Sequence, residues 1–291
     1  MVLELLINPK KVIGRPWEMV LIGFVYSFIA AFLALWIFKN YVSVVMVTLT
    51  IIASIPFIHN IIRSEEEKDV SIKQEKRLLK EHSKAISALF YLFLGFVLAF
   101  TTLYLFMPSG VVEKMFSAQL ETIITVQSTN INGNFLTGSY MTDMTGNFVS
   151  PFSVLNAIFM NNLKILVFCI LFSFFYGAGA IFILTWNASV MATAIGSFIR
   201  NNLFYAKGTF SYFQVTMVGL LQYLLHGVPE IVAYFIAALA SGMMSFALIK
   251  HNFMDANFKK TLKDVGILMG IAIIVLFAAA LIEVFITPLI M

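Results

Sequence analysis

His226-Gly227-Val228-Pro229-Glu230 lies between two apolar runs, residues 210–225 and 231–249, and the path of the chain through that junction decides the fold. A membrane-crossing helix needs about 20 predominantly apolar residues. Residues 231–249 are sufficient, whereas 210–225 and the earlier run 188–199, set apart by Arg200-Asn201-Asn202 and Lys207-Gly208, are each short. Working outward, residues 17–38, 41–62, 85–107 and 163–186 before the junction, and 265–286 after it, are full-length spans. Composition agrees: 60% of the 291 residues are hydrophobic and 12% charged, with mean hydropathy +0.92, against about half and a quarter in soluble domains. The chain therefore reads as an all-α polytopic membrane protein. Its single cysteine, Cys169, excludes an intrachain disulfide framework.

Lysine and arginine in short loops mark the cytoplasmic side. Lys10, Lys11 and Arg15 precede the first span, and a dense basic group from Arg63 to Lys84 separates the second from the third. Residues 250–263 add Lys250, Lys259, Lys260 and Lys263, while 108–162 holds only Lys114. The amino end is accordingly expected inside and 108–162 outside. A full-length first span with no small-residue cleavage site excludes a cleaved signal peptide. The net charge of +4 is thus a topology signal, and no nucleic-acid partner is expected. Parity then demands one net crossing between Asn187 and Glu230, read as a half-helix that enters and returns or as a broken crossing, which is tolerated where freed backbone is buried or lines a wet cavity. About seven transmembrane crossings result, one of them broken or re-entrant, with the carboxyl end outside.

Three regions follow: an N-terminal three-span region (1–107) with a charged cytoplasmic linker (63–84), an extracytoplasmic amphipathic segment (108–162), and a C-terminal membrane core (163–291). The linker alternates acidic and basic residues in the manner of a solvated helix. In the outer segment Val112, Phe116, Leu120, Ile123 and Ile124 recur at helical spacing opposite Glu113, Ser117 and Glu121. That pattern predicts an amphipathic helix lying on the membrane or roofing the bundle. Pro151 opens a second amphipathic approach that ends at Asn161-Asn162.

Catalytic signatures are not evident. There is no phosphate-binding glycine loop ending in Lys-Ser/Thr, no His-Glu-x-x-His and no Gly-x-Ser-x-Gly, and no metal or cofactor is expected. Charged groups at membrane depth are costly and normally paired, so His226 and Glu230 are the leading candidates. Were the backbone helical here, they would stand four apart and within reach of one another. Gly227 and Pro229 favour a bend instead, with Pro229 in the first turn of the next helix, Glu230 at that helix's positive end, and His226 as its hydrogen-bond partner. His59-Asn60 and Glu283 fall near span ends and read as interfacial. Gly177 and Gly179, with Ser173 and Ala180, form a small-residue face suited to close helix packing or to a homo-oligomer.

Asn161-Asn162 opening a span, Phe174-Phe-Tyr-Gly177-Ala-Gly179, Asn187 closing it, and His226-Gly227-Val-Pro-Glu230-Ile-Val-Ala233 followed by Ala237-Ala238 and Gly242 resemble the stage II sporulation protein M family, over residues 151–250. The family often has glycine where Ala188 and Ala192 stand here. The resemblance implies a shared core of Asn161, Asn162, Asn187, His226, Gly227, Pro229 and Glu230, with Gly242 at a packing contact. It also implies a non-enzymatic integral membrane scaffold or assembly factor, with an envelope protein engaged by the outer segment. The residues alone also allow a channel or a small-solute or proton transporter built on the His226/Glu230 pair. An intramembrane hydrolase is weaker, because a lone His-Glu pair lacks further ligands or a nucleophile.

Overall fold

The computed structural model describes residues 16–71, 75–129, 150–176, 180–203, 208–250 and 255–287, and every regular element among them is a helix. In chain order these are α1 (Glu18–Ile37), α2 (Val42–Ser71), α3 (Glu75–Phe106), α4 (Ser109–Met115), α5 (Ser117–Thr129), α6 (Pro151–Tyr176), α7 (Ala180–Leu203), α8 (Thr209–Lys250) and α9 (Ala256–Leu281). A turn of π-helix, Ile282–Ile286, follows α9. All but α4 and α5 contain stretches long and apolar enough to cross a membrane, seven in total. The class and the number of crossings are those expected, but their boundaries differ.

Residues 163–186 do not make one span. α6 begins at Pro151 and ends at Tyr176, and α7 begins at Ala180. Asn161 and Asn162 therefore lie in mid-helix, as does Asn187, and none of them opens or closes a crossing. Polar residues mark span ends only when they lack a partner inside. The Asn187 side-chain amide donates to the Ile183 carbonyl of its own helix at 2.9 Å, and Asn162 finds a partner on α8. Gly177 and Gly179, expected as a packing face, fall between α6 and α7, outside the described residues.

The junction at 226–230 also differs from expectation. Residues 188–199 belong to the uninterrupted α7, and 210–225 continue through His226-Glu230 into 231–249 as one 42-residue helix. Among the described residues there is no broken or re-entrant crossing. Pro229 sits inside α8, where it has no N–H to offer the Leu225 carbonyl, and Glu230 is not at a helix terminus. At 1.5 Å per residue α8 is about 63 Å long, roughly twice the hydrocarbon thickness. Packing keeps the helix unbroken. A Cβ on Gly219 would stand 2.7 Å from the Phe198 ring, and one on Gly227 2.6 Å from Met191 Cε, so both glycines let α7 approach closely.

A core extending from Met19 to Leu276 joins the first three long helices to the last four. α3 packs on α1 and α7; α8 packs on α6, α7 and α9. The α1/α3 contact is backbone on backbone at Gly23 and Gly95. Val112, Met115 and Phe116 are buried, so α4 and the start of α5 cover the bundle, one of the two uses the pattern allowed. The fully buried Gln119 donates to Ser189 Oγ on α7 at 3.2 Å and to the Ser43 carbonyl on α2 at 3.5 Å.

Candidate functional site

α8 presents His226, Glu230, Tyr234 and Ser241 along its length. Residues four apart share a helix face, and contacts from this row to α6 place that face. The Asn162 side-chain amide donates to Glu230 Oε1, and Ser241 Oγ donates to the Ile170 carbonyl at 2.6 Å. Both partners run in the same chain order along α6 and α8, so the two helices lie parallel. Asn162 is in the middle of α6, and Glu230 in the middle of α8, each within a helix long and apolar enough to cross a membrane.

Burying a carboxylate among apolar groups is costly unless donors satisfy it, and the Asn162 amide is the donor supplied. The anticipated His226–Glu230 hydrogen bond is not made. His226 Nδ1 is buried with no hydrogen-bond partner among the described residues, although the continuous helix sets the two residues one turn apart. Asn161 is exposed beside Asn162 and takes no part; Asn187 bonds only within α7. Gly227 contributes its missing side chain to the contact with Met191, and Gly242 is buried in α8. The structure thus brings Asn162 and Glu230 together.

Three features escaped the sequence pattern. Glu283, which reads as interfacial, lies in the π turn packed on both α6 and α8. Its position inside an otherwise apolar run was the available signal. Arg200 donates to the Tyr104 and Met107 carbonyls at 3.2 and 3.3 Å and to Ser109 Oγ at 2.8 Å, closing the end of α3, whose last carbonyls lack helical partners. The linker, expected as a solvated face, has an interior: Glu65, Glu66 and His82 are buried, His82 Nδ1 lies 2.9 Å from Glu65 Oε2, and Lys68 Nζ lies 2.6 Å from Glu65 Oε1. Only its outward pairs, such as Arg63 with Glu67, behave as solvated charges.

Seven helices long and apolar enough to cross a membrane, two of them tied by an Asn–Glu contact, define a polytopic helical membrane protein. The family model for Stage II sporulation protein M matches residues 86–288, and the chain belongs to that family. The match extends beyond residues 151–250 on both sides, from within α3 through the π turn, and so takes in Glu283. No curated protein and no solved structure matches the chain.

Proposed function

We propose that the protein is a non-enzymatic scaffold or assembly factor of the cell membrane, amino end cytoplasmic and carboxyl end outside, that engages an envelope protein through residues 108–162. The observation behind this reading is that the intramembrane polar residues connect helices to one another. Glu230 is bound by Asn162, and Ser241 by Ile170, so the side chains that a transporter would present to its solute fasten α8 to α6. A channel or transporter using His226 and Glu230 as a working pair has less support, since Glu230 takes its hydrogen bond from Asn162.

The part of the outer segment in α4 and α5 is engaged with the bundle, so on this reading partner contact falls to residues 130–149. Replacing residues 130–149 by a Gly/Ser chain of equal length should abolish co-purification of an envelope protein from detergent-solubilised native membranes, with helicity unchanged. Full retention of the co-purifying protein would remove this function from the segment.

A further inference from the structure

The crossing that runs from Pro151 to Tyr176 carries Lys164 at its middle, about 18–20 Å from either end of α6 at 1.5 Å per residue. A start near residue 163 would have left this lysine at a span end; in the longer helix it stands near the centre of a hydrocarbon layer about 30 Å thick. Lys164 is exposed, and it enters no ion pair or side-chain hydrogen bond among the described residues. Arg200, also inside an apolar helix, differs in this respect, since its guanidinium is spent on the Tyr104 and Met107 carbonyls and on Ser109. Asn162 faces Glu230 on α8, and two residues of helix turn Lys164 about 200° from it, to the side away from α8. A charge at mid-bilayer is costly and is normally paired. Its four-carbon stem falls short of headgroups about 15 Å away.

Ala157, Asn161, Lys164, Phe168, Leu171 and Phe175 succeed one another at alternating steps of four and three residues, and all are exposed. That is the spacing of a seam between two packed helices, here with its polar members next to each other at mid-depth. We propose that this face of α6 is an intramembrane docking surface for a transmembrane helix of another protein, one that carries an aspartate or glutamate at mid-bilayer to pair with Lys164 and to accept a hydrogen bond from Asn161. A second copy of this chain does not fit. Copies inserted with one orientation are related by a twofold axis along the membrane normal, so that residues of equal depth meet, and Lys164 would face Lys164. The contact is separate from the one proposed for residues 130–149, and either can fail alone.

The probe is a dansyl-labelled leucine–alanine helix with a central glutamate, compared with its glutamine counterpart in phosphatidylcholine vesicles that hold the full-length protein. Energy transfer from the protein's tryptophans should show the glutamate helix associating about tenfold more tightly. Lys164→Met should abolish that preference and Lys164→Arg keep it, with helicity by circular dichroism equal in all three proteins. In native membranes, a photoreactive side chain in place of Phe168 should cross-link a transmembrane peptide of another protein that contains Asp or Glu, as read by mass spectrometry. The yield should fall about tenfold in Lys164→Met and hold in Lys164→Arg, and the same side chain in place of Ile29, exposed on α1, should give lipid adducts alone. Equal association of the two helices, a cross-link from position 168 to a copy of this chain or to lipid alone, or a yield indifferent to Lys164→Met would each overturn the proposal.

Discussion

Glycine to alanine should have opposite signs at two places in this bundle. A Cβ on Gly95 would lie 2.3 Å from the Val20 carbonyl oxygen, 2.8 Å from the Phe24 nitrogen and 3.0 Å from Gly23 Cα. All three are backbone atoms, so no side-chain rotation relieves the clash. Restoring ordinary contact requires α1 and α3 to part by about 1 Å locally. A gap of 0.5–1 Å forfeits a quarter to a half of each dispersion well of about 0.1–0.2 kcal/mol, which over ~40 atom pairs comes to ~1–4 kcal/mol. That matches the usual cost of overpacking, and packing is what holds membrane helices together. Alanine's better helix propensity returns up to ~1 kcal/mol, so Gly95→Ala should be destabilising, by up to ~3 kcal/mol. At Gly270, exposed within α9, a Cβ meets nothing within 4 Å; only the propensity difference acts, and Gly270→Ala should stabilise by about 0.5–1 kcal/mol. Unfolding in micelles of rising dodecyl sulfate fraction, followed by circular dichroism and by the fluorescence of Trp17, Trp36 and Trp186, measures both. Equal effects at the two sites, or a more stable Gly95→Ala, would show that α1 and α3 do not meet at these glycines.

A double-mutant cycle of Asn162→Ala and Glu230→Gln in the same assay should give a coupling of ~0.5–1.5 kcal/mol, nearer the modest values found for membrane hydrogen bonds than the ~1.5–3 kcal/mol of charged hydrogen bonds in soluble proteins; zero coupling would separate the two residues. Arg200→Gln removes the fork on the α3 end, and amide exchange in residues 107–115 should accelerate about tenfold per 1.4 kcal/mol lost, with unchanged protection counting against the contact. Glu65→Gln should cost ~1–3 kcal/mol because it takes a charged acceptor from the buried His82 ring and from Lys68, whereas Glu65→Leu with His82→Leu should cost less; the reverse order would mean that Glu65 and His82 are not buried together.

The existence of the crossings was legible because twenty apolar residues in a row have few other uses. Their ends were not, because a polar residue inside an apolar run signals an end only if it has no partner. Asn162's partner lies 68 residues later on α8, a separation that local periodicity does not carry. Gly227 and Pro229 read as helix breakers for the same reason: their cost in an isolated helix is visible in the sequence, and the contact with Met191 that offsets it is not. For the candidate site, Glu230 was found by the scarcity of polar groups and Asn162 through the family resemblance, but Glu230 was paired with His226, the wrong neighbour. Glu283 was passed over because its place near a span end was taken as its environment.

The buried Glu65–His82–Lys68 group has a further consequence. α2 and α3 each pass from one solvent into another part-way along their length, and their interior changes with them. Where these helices run among apolar neighbours, the inside is alanine, leucine and phenylalanine; at the end near the linker it is carboxylate, imidazole and ammonium. Dissolved salt weakens exposed charge pairs such as Arg63–Glu67 and screens buried ones much less. As salt rises, the linker end of α2 and α3 should therefore lose its outward pairs and keep the polar contact at Glu65 and His82 that joins the two helices.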